Sequence, residues 1–262
     1  MDKTVIVRGG GDLASGTIYK LWQNNYKVLV LEISAPSAIR RKVSFCECIY
    51  QDSVCVENAT AVKVNNLDEI KKAWQNNQIP VAIDPKAEWI KSLKPDIVID
   101  AVLAKKNLGM TKDLAPLTIA LGPGFEAGND VDVVIETMRG DTLGKIITKG
   151  FAMENTGIPG VIAGYSKERV IHSPCAGIIN NKAAIGDIVK ADQIIAEVQG
   201  DVTMPIKATI DGRLRGLIRN NYSVSKGFKI ADIDPRLDEN WELISDKAQT
   251  IANSVLEVIK AN

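Results

Sequence analysis

Three features of the 262-residue chain predict an α/β protein with a doubly wound, mostly parallel sheet, a small all-β domain and a C-terminal helix. Short β-branched runs alternate with helix-like segments up to about residue 150. Three consecutive glycines separate the first run from the first helix-like segment. Much of the remainder superposes on itself, so that Gly177 falls on Gly212, Val189 on Val224 and Ile195 on Ile230.

The apolar runs are TVIVR, KVLVLEI, IPVAID, DIVIDAV, LTIAL and VDVVIET. Continuous apolar strands are those buried on both faces, and segments such as TIYKLWQNN, NLDEIKKAWQNN and AEWIKSLK supply the covering helices. SVCVENATAVKV, residues 53–64, has instead the pattern of a small hairpin. Residues 1–150 are therefore expected to form one Rossmann-like domain, and the glycine-rich stretch after it places a linker at 151–168.

HSPCAGIINNKAAIGDIVKADQIIAEV and KATIDGRLRGLIRNNYSVSKGFKIADI are the superposable halves, and residues 169–235 are expected to form one duplicated β domain. Neither half alone offers enough apolar surface for a core. Residues 236–262 end the chain with Ala248, Ile251, Ala252, Val255 and Ile259 on one helical stripe that Ser245 caps.

The stretch GGGDLA, residues 9–14, fits the spacing GxGxxA between a strand and a helix. Glycine there lets an anionic group approach backbone N–H groups at a helix N-terminus. Gly9, Gly10, Gly11, Asp12, Ala14 and Ser15 are accordingly candidate cofactor-binding residues, with Glu32 at the end of the next strand as a ribose acceptor. A tight turn that binds nothing is the structural alternative. Gly122, Gly124 and Gly128 follow a later strand in LGPGFEAGND and are expected to face the same crevice, as is Asp100 at the end of DIVID. Asp84 also ends a strand, where an aspartate is more often a helix cap or turn former; Lys105 and Lys106 follow Asp100 in DAVLAKKNLG, and Arg139 in ETMRGD is a candidate phosphate partner or equally a solvated surface arginine.

Lys plus Arg and Asp plus Glu number 32 each, so no overall field draws the chain to nucleic acid or an anionic membrane. The absence of a secretory pattern and of long apolar runs points to a cytoplasmic protein. Four cysteines do not make a disulfide framework, and Cys46, Cys48, Cys55 and Cys175 have no spacing that selects a metal. His172 is the single histidine, which leaves no Ser/His/Asp triad and no assigned catalytic residue.

Two resemblances add to this. The repeat resembles a lipoyl/biotinyl carrier, the barrel-sandwich hybrid, yet the joint between its halves reads QGDVT, without the acceptor lysine, so neither lipoate nor biotin is expected. The combination of VRGGGDLASG, LEISAPSAIRRKVSFCECIY, DAVLAKKNLG and LGPGFEAGNDVDVVIETMRGD resembles the YqeB-type accessory proteins of the selenium-dependent molybdenum hydroxylase system over essentially the whole chain. It departs from many of them at Asp141, where a histidine often follows the ETMRG stretch in the family. The resemblance implies a maturation factor that binds molybdopterin dinucleotide or another nucleotide, with the hydroxylase or its maturation machinery as partner. An NAD-dependent oxidoreductase and a scaffold docking through the β-repeat are the alternatives.

Overall fold

The computed structural model describes residues 3–262. The chain divides into two compact units. The first runs to Pro36 and includes Val43–Thr156 and Leu243–Asn262; the second is Ser37–Lys42 with Gly157–Glu242. The C-terminal helix thus belongs to the first unit.

In the first unit the strands are β1 (Thr4–Arg8), β2 (Lys27–Glu32), β3 (Ser53–Val56), β4 (Ala59–Val64), β5 (Ile79–Ile83), β6 (Ile97–Asp100), β7 (Leu117–Leu121), β8 (Glu126–Ala127), β9 (Val133–Ile135), β10 (Ile146–Ile147) and β11 (Gly150–Phe151). The helices are α1 (Asp12–Gln23), α2 (Cys48–Gln51), α3 (Leu67–Gln75), α4 (Glu88–Leu93) and α5 (Asp246–Ala261). Nine strands form one sheet in the order β10-β9-β7-β6-β1-β2-β5-β4-β3. Both outermost strands, β10 and β3, pair antiparallel with their neighbours.

Alternation along the central strands sorts the core into two layers. Val5, Val7, Val28 and Val30 pack with Ile18 and Leu21 of α1 and Ile251 and Val255 of α5. Ile6, Leu29 and Leu31 pack on the other face with Ile70 of α3 and Ile90 of α4.

The expected doubly wound, Rossmann-like sheet is therefore corrected to a mixed one. The connection from β6 to β7 holds no α-helix, only a short 3-10 turn at Lys112–Leu114, and the β7–β9 connection is a loop with the two-residue β8. Gly122, Pro123, Gly124 and Gly128 break helical continuation there. The layer over α1 is completed instead by α5, from the far end of the sequence.

The second unit contains β12 (Val170–His172), β13 (Gly177–Asn181), β14 (Ile188–Val189), β15 (Ile194–Gln199), β16 (Thr203–Lys207), β17 (Gly212–Leu217), β18 (Ser223–Val224) and β19 (Lys229–Asp234). They form two antiparallel four-stranded sheets, β12-β19-β17-β14 and β16-β15-β13-β18. The lipoyl/biotinyl-like barrel-sandwich expectation is corrected accordingly. The sheets are small and separate in pairing, and β12, which precedes the repeat, lengthens one of them. The unit also takes in Ser37–Lys42, whose Ile39 carbonyl accepts from Leu217 N–H at 2.9 Å.

The halves make equivalent crowded contacts. A Cβ on Gly177 would lie 2.5 Å from the Gln199 carbonyl oxygen, and one on Gly212 would lie 2.5 Å from that of Asp234. Glycine at these strand starts is thus required by a neighbouring backbone.

Candidate functional site

β6, β1, β2 and β5 are adjacent and parallel, so their carboxyl ends emerge along one edge of the sheet. Gly9–Gly11 follow β1, Glu32 ends β2 and Asp100 ends β6; the sheet thus brings these candidates together. Gly122 and Gly124 follow β7, beside β6, at the same edge.

The three consecutive glycines have three different reasons. Gly9, at φ +90°, donates to the Leu31 carbonyl, and a Cβ there would sit 3.0 Å from the Ala101 carbonyl oxygen. Gly10 donates to Glu32 Oε2 at 2.9 Å and accepts from Cys46 N–H at 2.8 Å; a Cβ on it would lie 3.0 Å from the Cys46 nitrogen. Gly11 has φ −72° and ψ −174°, which any residue adopts, and a Cβ added to it meets nothing within 4 Å. Gly11 is the N-cap of α1 and brings no side chain of its own to that terminus.

Asp12 opens α1, whereas Ala14 and Ser15 are buried. Ser15 Oγ donates to the Gly10 carbonyl at 3.2 Å and accepts from Phe45 N–H at 2.9 Å. It ties the glycine turn to the segment after β2. Glu32 is likewise engaged inside the chain, accepting from Gly10 and, through Oε1, from Ile33 N–H at 2.8 Å. Burial pushes its carboxyl above the usual range, against the pull of those two N–H groups.

Asp100 is buried and pairs with Arg8, Oδ2 to Nη1 at 3.0 Å, while its Oδ1 accepts from Val102 N–H at 3.2 Å. Burial pushes the Asp100 carboxyl up; the guanidinium and the Val102 N–H oppose it. Arg8 also donates to the Leu108 carbonyl at 2.8 Å and so fixes the loop after β6. A charged residue closing the apolar run TVIVR was the sequence signal for this pair, and the strand pattern masked it.

Gly122 packs on Thr137, with a Cβ 2.6 Å from the hydroxyl. Gly124 packs on the Lys105–Lys106 backbone, with a Cβ 2.5 Å from the Lys106 nitrogen. Gly128 sits apart in the turn after β8, donating to the Val131 carbonyl at 2.7 Å. Asp84 receives Trp89 N–H at 2.9 Å and so stabilises the start of α4. Arg139 reaches Asp246 through both Nη atoms at 3.2 Å.

Cys46 and Cys48 are buried, Cys175 is partly covered, and Cys55 is exposed on the β3–β4 hairpin. Burial and the nearby Asp52 push the Cys48 thiol up to about 12, so it is an inert apolar filler at neutral pH. Among the described residues no three His, Cys, Asp or Glu side chains gather as a metal-holding group, and no helix is long and apolar enough to cross a membrane.

A feature absent from the sequence expectations is the apolar rim of this edge. Ile33, Ile83 and Val102 lie at or just beyond the ends of β2, β5 and β6 and are 46%, 43% and 42% exposed. Leu108, on the loop held by Arg8, is 44% exposed.

No family model matches the chain. A curated Escherichia coli (strain K12) protein named Uncharacterized protein YqeB is 44% identical over 256 residues, covering 97% of this chain and 47% of that protein. Similar solved structures include an aspartoacylase family protein from Mesorhizobium loti, at 10% identity and TM-score 0.30, covering 90% of this chain and 86% of that one. A succinylglutamate desuccinylase/aspartoacylase from Rhodobacter sphaeroides gives 12% and 0.29, with 90% and 87% covered. The product-bound ectoine utilization protein EutE of Ruegeria pomeroyi gives 9% and 0.26, with 87% and 56% covered. Likeness at this level transfers neither activity nor residues to the chain.

These findings correct the functional expectation. The relative's name carries no link to selenium or to a molybdenum hydroxylase. Nothing in them supports the maturation factor, the nicotinamide oxidoreductase or the docking scaffold. Gly9 and Gly10 serve contacts within the chain, so their presence is explained without a bound dinucleotide. What stands is the sequence relationship: at 44% identity over 97% of its length the chain is YqeB-type, and it spans about half the length of that relative.

Proposed function

We propose that the first unit binds a small anionic compound, its phosphate or carboxylate head on the N-terminus of α1 and its apolar body against Ile33, Ile83 and Val102. One observation carries this: Gly11 is a glycine that neither its backbone angles nor any neighbour within the chain requires. Its purpose is then access from outside, to the N–H groups at a helix start whose dipole favours negative charge. Lys105 and Lys106, both exposed on the loop that Gly124 supports, add positive charge to the same edge. The exposed isoleucines and valine supply the apolar contact that gives such a site selectivity.

Gly11→Val tests the assignment, because the native φ and the open space accept the side chain without strain. Calorimetric titration with a panel of phosphorylated and carboxylated small molecules is expected to find a ligand whose binding the variant loses, with the thermal midpoint lowered only by the few degrees that a valine N-cap costs. Equal binding by both proteins would remove the α1 terminus as the site.

A further inference from the structure

We propose that the second unit carries its own site for a small oxoanion, a carboxylate or phosphate group, formed by Arg213, Arg215, Arg236 and Trp241. Along β17 the alternation puts Leu214 in the core and leaves Arg213 and Arg215 on the other face. Arg213 stands opposite Asp234 of β19, and these residues line one cavity with Arg236, Glu239 and Trp241.

The charges in that cavity do not balance. Asp234 accepts from Arg236 Nε and N–H through Oδ1, both at 3.0 Å, and from Arg236 Nη2 through Oδ2 at 2.8 Å. Its Oδ2 also faces Arg215 Nη1 at 3.4 Å, and Glu239 takes Arg236 Nη1 at 2.8 Å. Burial pushes the Asp234 carboxyl up, but the Arg236 hydrogen bonds and the two guanidinium charges outweigh it and hold the carboxyl below the usual range.

Both carboxylates are therefore spent on Arg215 and Arg236. Arg213 is left with backbone carbonyls, Gly186 at 2.8 Å from Nη1 and Leu237 at 3.3 Å from Nη2, and its Nε is buried without an acceptor. A partly buried guanidinium without a carboxylate partner leaves the cavity with positive charge in excess, and a guanidinium matches an oxoanion in both charge and geometry.

The wall is closely packed. Trp241 lies against Gly186, where a Cβ would come within 2.7 Å of the indole, and the Lys42 ammonium stands 5.9 Å from the ring centroid. That ammonium adds a further positive charge beside the cavity.

Titration of the full chain carrying Gly11→Val, in chloride-free buffer, separates this site from the one at α1. Inorganic phosphate and acetate are the two probes, and saturable uptake of at least one is expected; which one binds tells a phosphate source from a carboxylate. Arg213→Met in that background is expected to weaken uptake by about tenfold, the scale of a charge-assisted hydrogen bond. Glu239→Gln removes a competing negative charge from the wall and is expected to tighten uptake several-fold, which decides the matter even where Arg213→Met melts the unit. Absence of uptake of either probe, or an affinity that Glu239→Gln leaves unchanged or lowers, would overturn the proposal.

Discussion

Arg8→Met is expected to destabilise the first unit by about 3–5 kcal/mol at pH 8, because it leaves the Asp100 carboxylate buried without its counter-charge. The cost is expected to depend on pH in a defined direction. Burial already raises the folded-state pKa of Asp100 above its unfolded value, and loss of the guanidinium raises it further. A raised folded pKa means that the native state holds the proton more tightly than the unfolded one. The stability Asp100 contributes is then complete below its unfolded pKa, near pH 4, and is lost as pH rises through the folded value.

The deficit of Arg8→Met should accordingly shrink between pH 8 and about pH 4.5 as the carboxyl takes up its proton. Urea denaturation of variant and parent at both pH values measures it, and an equal deficit at the two would refute the assignment. Arg8→Met combined with Asp100→Leu is expected to recover part of the loss, since an apolar pair of similar volume removes the stranded charge.

Gly16→Ala is expected to lower stability by about 1–3 kcal/mol, although in an exposed helix interior the same change stabilises by about 1 kcal/mol. The inversion follows from the approach of α5. A Cβ on Gly16 would lie 2.7 Å from the Ala248 carbonyl oxygen and 2.8 Å from its Cβ, and neither atom belongs to a flexible side-chain end. The two helices must separate, which opens the layer formed by Ile18, Leu21, Ile251 and Val255. Gly16→Val enlarges the clash and should cost still more. A rise in the urea midpoint for Gly16→Ala would show that α5 yields freely and is not fixed against α1.

The helix that makes this contact was legible in the sequence. Ala248, Ile251, Ala252, Val255 and Ile259 are all buried, and the Ser245 side chain accepts from Ala248 N–H as a cap. The parallel strands were legible for the same reason, since β-branched runs such as TVIVR, KVLVLE and IPVAI record burial on both faces. The sheet that these strands form was less so. The hairpin at residues 53–64 was legible and forms the β4–β3 edge, but the antiparallel β9–β10 edge and the missing helices between β6 and β9 depend on pairings that a run of apolar residues does not specify.

The glycines show the same division at the level of single residues. Alone, the sequence determined that the turn after β1 is glycine-rich and precedes a helix, because helix starts, caps and turns follow from the torsional preferences of adjacent residues. Only the tertiary structure decided what each glycine is for. Cys46 approaches Gly10, Ala248 approaches Gly16, and nothing approaches Gly11. Such close approaches join segments far apart in the chain, and side-chain periodicity carries no information about which distant backbone arrives at a given residue. The unbalanced charge at Arg213 has the same origin: alternation puts arginines on one face of β17, but strand pairing and the course of the chain after β19 determine which of them receives a carboxylate.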